Sequence, residues 1–368
     1  MMSRPFIFAA FLLLGLVQWA VATPVVGGIR PPNGFIFSDT TDYPLPNQGH
    51  IHMHDPSIVE FGGYFYLFRG GIHIPVFKSS TLDGPWTKIG TVLDGPSVIE
   101  KQNRTRPWAP TVIERNGMLY CFYSLSKPGA RNSAIGIATT DGLDMDGGGS
   151  WTDHGALVNT EHGPLSHVYP YTHSNAIDAS FMMDQKTGQP YLLYGSYWHG
   201  IFQVPLSDDL LSVENSKQPD AKHLAYESNH KPRFIEGSFM SYHDPYYYLW
   251  FSHGKCCGFE HGLPDKGNEY AASPSYGSIG IKTWLMICRY KIRVGRSKSI
   301  RGPFADKSGR LLTDGGGTVV YGSNHGHVYA PGGVGVLPGN DDRQDILYYH
   351  YSEFTSVYYS SLAMAMRN

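Results

Sequence analysis

Charge is scarce in this sequence. Only 16% of its 368 residues are Asp, Glu, Lys or Arg, and 29 bases nearly cancel 31 acids to leave a net charge of −2. No dense Lys/Arg stripe is present, so the electrostatic footprint that nucleic-acid binding requires is missing. Cysteine is equally sparse. The four, Cys121, Cys256, Cys257 and Cys288, are too few for a disulfide framework, so a packed core must hold the fold. The adjacent pair Cys256 and Cys257 can form a strained vicinal bridge or remain two buried thiols, and metal-ligand spacing such as CxxC is absent. Sustained helical periodicity is missing too, which argues against a helix-based enzyme.

Long apolar runs are almost absent. One exception, from Phe6 to Val17, follows Arg4 and precedes the small-residue pattern Ala20-Val21-Ala22. That order is a secretory leader over residues 1–22, and no later stretch reaches the roughly 18 apolar residues of a membrane-spanning helix. The mature chain is therefore expected to be exported, free of the membrane and monomeric, with residues 23–368 forming a single catalytic domain. One glycosylation sequon, Asn103-Arg104-Thr105, suits an exported chain.

Glycine, proline and tyrosine are abundant: 43, 25 and 25 residues, with aromatics at 14%. Many short strands joined by tight turns produce that bias. The strands repeat. Five segments start at Asp55, Ala109, Asp178, Glu236 and Ala330, each with a small or prolyl residue, a short apolar strand, a polar or glycine turn and an aromatic return strand. A second phrase recurs between them, as Gly84-Pro85-Trp86, Ser150-Trp151 and Gly302-Pro303-Phe304. Two hairpins per unit make a four-stranded blade, and five blades around an axis make an all-β five-bladed propeller with a central channel.

The position before each inner strand carries Asp55, Ala109, Asp178, Glu236 and Ala330, so three acids from three blades should meet at one end of the channel. Carboxyl groups crowded together cannot all ionise, and one is pushed toward its protonated form. Glycosidic hydrolysis needs a protonated acid for the leaving oxygen and an ionised carboxylate opposite it. Taken singly, Asp55 or Asp178 reads as a turn cap; three acids in matching places read as catalytic.

The phrases His54-Asp55-Pro56-Ser57-Ile58, Trp108-Ala109-Pro110, Asn175-Ala176-Ile177-Asp178, Tyr194-Gly195-Ser196-Tyr197-Trp198-His199-Gly200-Ile201, Glu236-Gly237 and Gly326-His327 resemble, in order, those of glycoside hydrolase family 43, and within it the fungal endo-1,5-α-L-arabinanases. The resemblance implies an inverting hydrolase of arabinan, the arabinose side chain of plant pectin. It implies Asp55 as general base, Glu236 as general acid and Asp178 as the group that raises the pKa of Glu236 and orients it. It also implies His327 on the channel axis beside a hydrated ion, often calcium, needed for structure rather than chemistry. Aromatic faces and a few polar groups should grip the sugar, with Trp108, Tyr197 and Trp198 as platform and His54 and Asn175 as rim. The competing readings are an exo-acting α-L-arabinofuranosidase or β-xylosidase on the same scaffold, and a sugar-binding propeller without catalysis.

The sequence departs from the family pattern in three places. Thr111 stands where an acidic residue is common. Residues 271–289 read as an insertion, with the length and composition of a translated intron, before Tyr290-Lys291-Ile292-Arg293-Val294. The chain also runs only a short way past Tyr348-Tyr349-His350-Tyr351, so the fifth blade is expected to be incomplete and the protein less stable than a longer relative.

Overall fold

The computed structural model describes residues 51–143, 149–229, 231, 233–256, 290–323, 328–340, 343–353 and 356–366. The leader, the 271–289 stretch and His327 lie outside them.

Five antiparallel sheets are laid down in chain order. The first holds β1 (Ser57–Phe61), β2 (Tyr64–Phe68), β3 (Pro75–Ser79) and β4 (Thr87–Thr91). The second holds β5 (Trp108–Arg115), β6 (Met118–Leu125), β7 (Ala134–Thr140) and β8 (Thr152–Asn159). In the third, β9 (Ser180–Met183), β10 (Pro190–Ser196), β11 (Gly200–Pro205) and β12 (Lys222–Ala225) pair in turn. The fourth has β13 (Ile235–His243), β14 (Tyr246–His253), β15 (Lys291–Ser297) and β16 (Thr318–Tyr321). The fifth has three strands, β17 (Tyr329–Leu337), β18 (Ile346–Glu353) and β19 (Ser356–Met366). It is the incomplete blade that the sequence leads one to expect.

Neighbouring sheets touch through their first strands. β1 contacts β5, β5 contacts β9, β9 contacts β13, β13 contacts β17, and β17 returns to β1. The ring is closed. The apolar faces pack between blades rather than within them: Val59 and Phe68 meet Val112 and Leu119, Phe122 and Ile137 meet Leu192 and Phe202, and Leu193 and Ile201 meet Leu249 and Phe251. Trp250 and Ile292 then meet Val334 and Tyr349, and Leu337 and Ile346 meet Met53, Ile58 and Leu67 to complete the circle. Each fully buried large side chain of this kind contributes about 1.5–3 kcal/mol, and each interface needs both blades.

The recurring Gly-Pro-aromatic phrase lies between the third and fourth strands of a blade, where Gly84 (φ 88°) and Gly302 (φ 75°) take the left-handed conformation a side chain resists. Cys256 is disulfide-bonded, to a cysteine outside the described residues, and Cys121 is a buried free thiol. The sequon is structurally engaged, because Asn103 Nδ2 donates to the carbonyl of Ser126.

Candidate active site

Each inner strand is entered through one residue in left-handed conformation. Those residues are Asp55 (φ 46°), Ala109 (41°), Asp178 (57°), Gly237 (56°) and Ala330 (50°). Two positions later the strand pairs with an equivalent partner in every blade: Ser57 with Phe68, Thr111 with Phe122, Ser180 with Leu193, Phe239 with Trp250 and Gly332 with His350. A non-glycine residue pays roughly 1–2 kcal/mol there, and Asp tolerates it better than most.

This geometry corrects one part of the sequence reading. Glu236 is not in register with Asp55 and Asp178; the matching position of the fourth blade is Gly237. Glu236 stands one residue earlier, where Trp108 and Tyr329 stand in their blades. It pairs with Ser252 as Trp108 pairs with Ser124 and Tyr329 with Ser352. The β-bulge between Glu236 and Phe239 recurs between Trp108 and Thr111 and between Tyr329 and Gly332, so the shift lies in the sequence phrase itself: the Ser-Phe pair stands one position earlier relative to the strand pairing in the fourth blade than in the third. The longer Glu side chain suits the more distant starting point.

The three acids still converge, since Glu236 and Asp55 both act on Asp178 and Asp55 acts on Glu236; Asp55 and Asp178 line a common cavity and Glu236 adjoins it through Gly237. A cavity on the axis is lined by Asp55 and Pro56, Ala109 to Thr111, Asp178 and Ala179, Gly237 to Phe239, and Gly333 and Val334, which is one contribution from every blade. Gly237 N donates to Asp178 Oδ2 at 3.1 Å. Asp178 N donates to Ser124 Oγ at 2.9 Å and Asp55 N to His350 Nδ1 at 3.1 Å, so these two acids are anchored to the second strand of the preceding blade. Thr111, which stands where the family pattern has an acid, donates through Oγ1 to Ala179 O at 2.7 Å and ties the second blade to the third.

Electrostatics separates the acids. Burial favours the neutral form of Asp55, but the charge of the neighbouring His54 and the adjoining His350 imidazole outweigh it and hold the carboxyl at about 2. Burial pushes Asp178 well above the usual carboxylate range, helped by the charges of Glu236 and Asp55 and opposed by the Gly237 N–H. Burial likewise raises Glu236; the Tyr290 hydroxyl, which donates to its Oε1, pulls the other way, and the Asp55 charge adds to the rise. One ionised carboxylate thus faces two that retain protons more readily, which is the division that acid–base hydrolysis uses.

Around the acids, Trp108 is half-buried on the same rim. Gly195 N donates to Ile177 O at 3.0 Å, which brings the Tyr197–Trp198 turn to the Asp178 end of the third blade. These two rings stack at 5.8 Å, and Tyr197 meets Phe234 edge-on at 5.9 Å, two residues before Glu236. His54 is 46% exposed and lies 3.6 Å from Asp55 Oδ2. Asn175 is a correction. It is 2% exposed, with Oδ1 accepting from Ser133 Oγ at 2.8 Å and Nδ2 donating to Ser196 Oγ at 3.0 Å. It braces the loop before Asp178 from behind and offers the rim no face.

Sequence reasoning misses Tyr290 and His350. Tyr290 follows the 271–289 stretch, and His350 sits among tyrosines in an alternating strand, where a lone histidine reads as core. His54, Asp55 and His350 place three ligand atoms within 4.8 Å of one another, a cluster able to chelate a metal ion. Two imidazoles and one carboxylate suit a borderline cation, whereas calcium takes oxygen ligands. This cluster therefore does not suit calcium and is distinct from the ion that the resemblance places beside His327.

Comparison with known proteins agrees with the geometry. The model of glycosyl hydrolases family 43 matches residues 49–272. A probable arabinan endo-1,5-alpha-L-arabinosidase D of Emericella nidulans is 58% identical over 315 residues, covering 85% of this chain and 76% of that protein. A probable arabinan endo-1,5-alpha-L-arabinosidase B of Aspergillus fumigatus is 45% identical, covering 85% and 81%. Among solved structures, an exo-1,5-alpha-L-arabinanase from a bovine ruminal metagenomic library superposes with a TM-score of 0.70 at 26% identity, over 88% of this chain and 96% of that one. The family 43 endo-arabinanase of Bacillus licheniformis does so at 0.66 and 28%, over 86% and 93%.

Proposed function

Because the chain belongs to glycoside hydrolase family 43, we propose that Asp55, Asp178 and Glu236 catalyse its hydrolysis of α-1,5-linked arabinan with inversion at the anomeric carbon. The observation that carries the assignment is the split among three mutually interacting acids, with Asp55 held ionised while Asp178 and Glu236 are pushed toward protonation. Asp55 takes a proton from water as the oxygen attacks C1. Glu236 gives its proton to the departing O5 of the next arabinose; Asp178 and Glu236 repel each other as anions and so retain one proton between them, and with that proton on Glu236 the Asp178 charge keeps it there while Asp178 Oδ2 holds the Gly237 backbone. Trp108, Tyr197 and Trp198 stack on the sugar rings, and His54 borders the reacting residue.

Cutting within the chain is the mode we assign, since the fungal relatives carry that description. Linear debranched arabinan decides it: mixed oligosaccharides early in the digest support internal cleavage, and arabinose or one short product alone replaces it with exo action. Proton NMR of the first-formed anomer reads the stereochemistry. Loss of all turnover in Glu236→Gln with retained binding separates catalysis from a sugar-binding propeller.

The leader directs the enzyme out of the cell as a monomer, which fractionation and sedimentation of the expressed protein test. A hydrated calcium on the axis, with His327 as its protein ligand, completes the proposal. Dialysis against EDTA should lower the melting temperature, and added calcium should restore it; an unmoved melt ends that part.

A further inference from the structure

Three flat rings stand in a row across the seam between the fourth, fifth and first blades. His54 stacks on His350 with centroids 4.2 Å apart and planes at 30°, and His350 faces Tyr290 at 6.1 Å and 27°. The two ends of the row are fastened to different carboxyl groups. At one end the Tyr290 hydroxyl donates to Glu236 Oε1. At the other, His54 Nε2 lies 3.6 Å from Asp55 Oδ2, and His350 Nδ1 lies 3.4 Å from Asp55 Oδ1 while accepting from Asp55 N.

The fifth blade makes room for this row with two glycines. A Cβ on Gly332 would land inside the Tyr290 ring, and one on Gly333 would fall 2.5 Å from His350 Nδ1 and 2.6 Å from Asp55 Oδ1. Tyr290 and His350 are 4% and 1% exposed. Rings packed to interior density have little freedom to swing, so whatever they hold is held in one place.

We propose that Tyr290 and His350 are positioning residues that fix the aim of Glu236 relative to Asp55, Tyr290 through its hydrogen bond to the acid and His350 through its contacts with the base. This rests on the roles given to those two acids above. The groups that act on Glu236 are the Tyr290 hydroxyl, the carboxyls of Asp55 and Asp178 and the His54 imidazole. Tyr290 favours the ionised form of Glu236, so its removal has a defined sign.

Tyr290→Phe keeps the ring and deletes the hydroxyl; His350→Phe keeps the stack and deletes both ring nitrogens. On linear arabinan, Tyr290→Phe should lower kcat about tenfold to a hundredfold, leave KM within about threefold, and move the basic limb of the pH profile upward. His350→Phe should lower kcat with the basic limb unmoved, and the double variant should lose less than the product of the two because both act on one geometry. Glu236→Gln is assayed beside them. If it stays active, the acid itself is misassigned. If it is dead while Tyr290→Phe retains wild-type kcat and pH profile, the positioning role alone is overturned, and the Tyr290→Phe result stands even where His350→Phe fails to fold.

Discussion

Asp178 Oδ2 accepts a hydrogen bond from Gly237 N at 3.1 Å, so the third blade's acid grips the backbone immediately after Glu236. The contact fixes where Glu236 begins, and the buried charge nearby controls how tightly Glu236 holds its proton.

Asp178→Asn tests the two effects separately. The Asn carbonyl can still accept from Gly237, so the backbone should stay in place while the charge is lost. With less repulsion Glu236 ionises more easily, and the basic limb of kcat/KM should move to lower pH with kcat/KM down by about tenfold or more, the worth of one pKa unit. A basic limb that does not move would refute the electrostatic role.

The pH profile of the native enzyme should be a bell. Asp55 must be ionised, and its pKa of about 2 puts the acidic limb well below pH 4. Glu236 must be protonated, and its raised pKa puts the basic limb above the 4.5 of an ordinary glutamate. Asp55→Asn should cut kcat by about 10²–10⁴, the usual worth of a general base. Activity that rises only above pH 6.5 would contradict the assignment.

Stability should fall on acidification for a reason outside the site. Glu227 and His253 are 2% and 4% exposed, with His253 Nε2 and Glu227 Oε2 at 2.8 Å and Arg293 at 3.5 Å from the same oxygen. Burial lowers His253 from 6.5 to about 4. The unfolded chain therefore binds more protons than the folded one between those values, and stability drops as pH falls through that window. Burial alone would raise Glu227, but His253, the Asn229 N–H and Arg293 hold it at about 2 instead of 4.5. Its contribution is present above 4.5 and is lost as pH falls toward 2. Melting temperatures from pH 7 to 3 should decline in both windows, and Glu227→Gln should flatten the lower one; a flat curve down to pH 4 would refute the first.

Trp198→Ala should raise KM for arabino-oligosaccharides up to about tenfold while sparing kcat, since a ring face is worth about 0.5–1.5 kcal/mol beyond its area. An unchanged KM would place the Tyr197–Trp198 stack outside the binding surface.

Much of this architecture is legible from repetition alone. The five unit starts mark five blades, and the Gly-Pro-aromatic phrase falls between the third and fourth strands wherever it occurs, because both features are local chemistry that a linear sequence displays. Glu236 is legible by type yet displaced by one residue, since the Ser-Phe pair that follows it invites an alignment with Asp178 that the strand pairing does not follow. Tyr290, His350 and the inward turn of Asn175 are hidden for another reason. Their roles come from contacts between blades, and nothing in an alternating strand tells which ring will face a carboxylate from a distant unit.

The bond from Asp55 N to His350 Nδ1 joins positions 295 residues apart. Contacts at such separation form late, after the chain has surrendered the entropy of the whole loop between them. A ribosome that has made four blades has already made all three acids, yet the base still lacks its neighbour. Sugar release at the full rate thus requires the last blade to dock against the first.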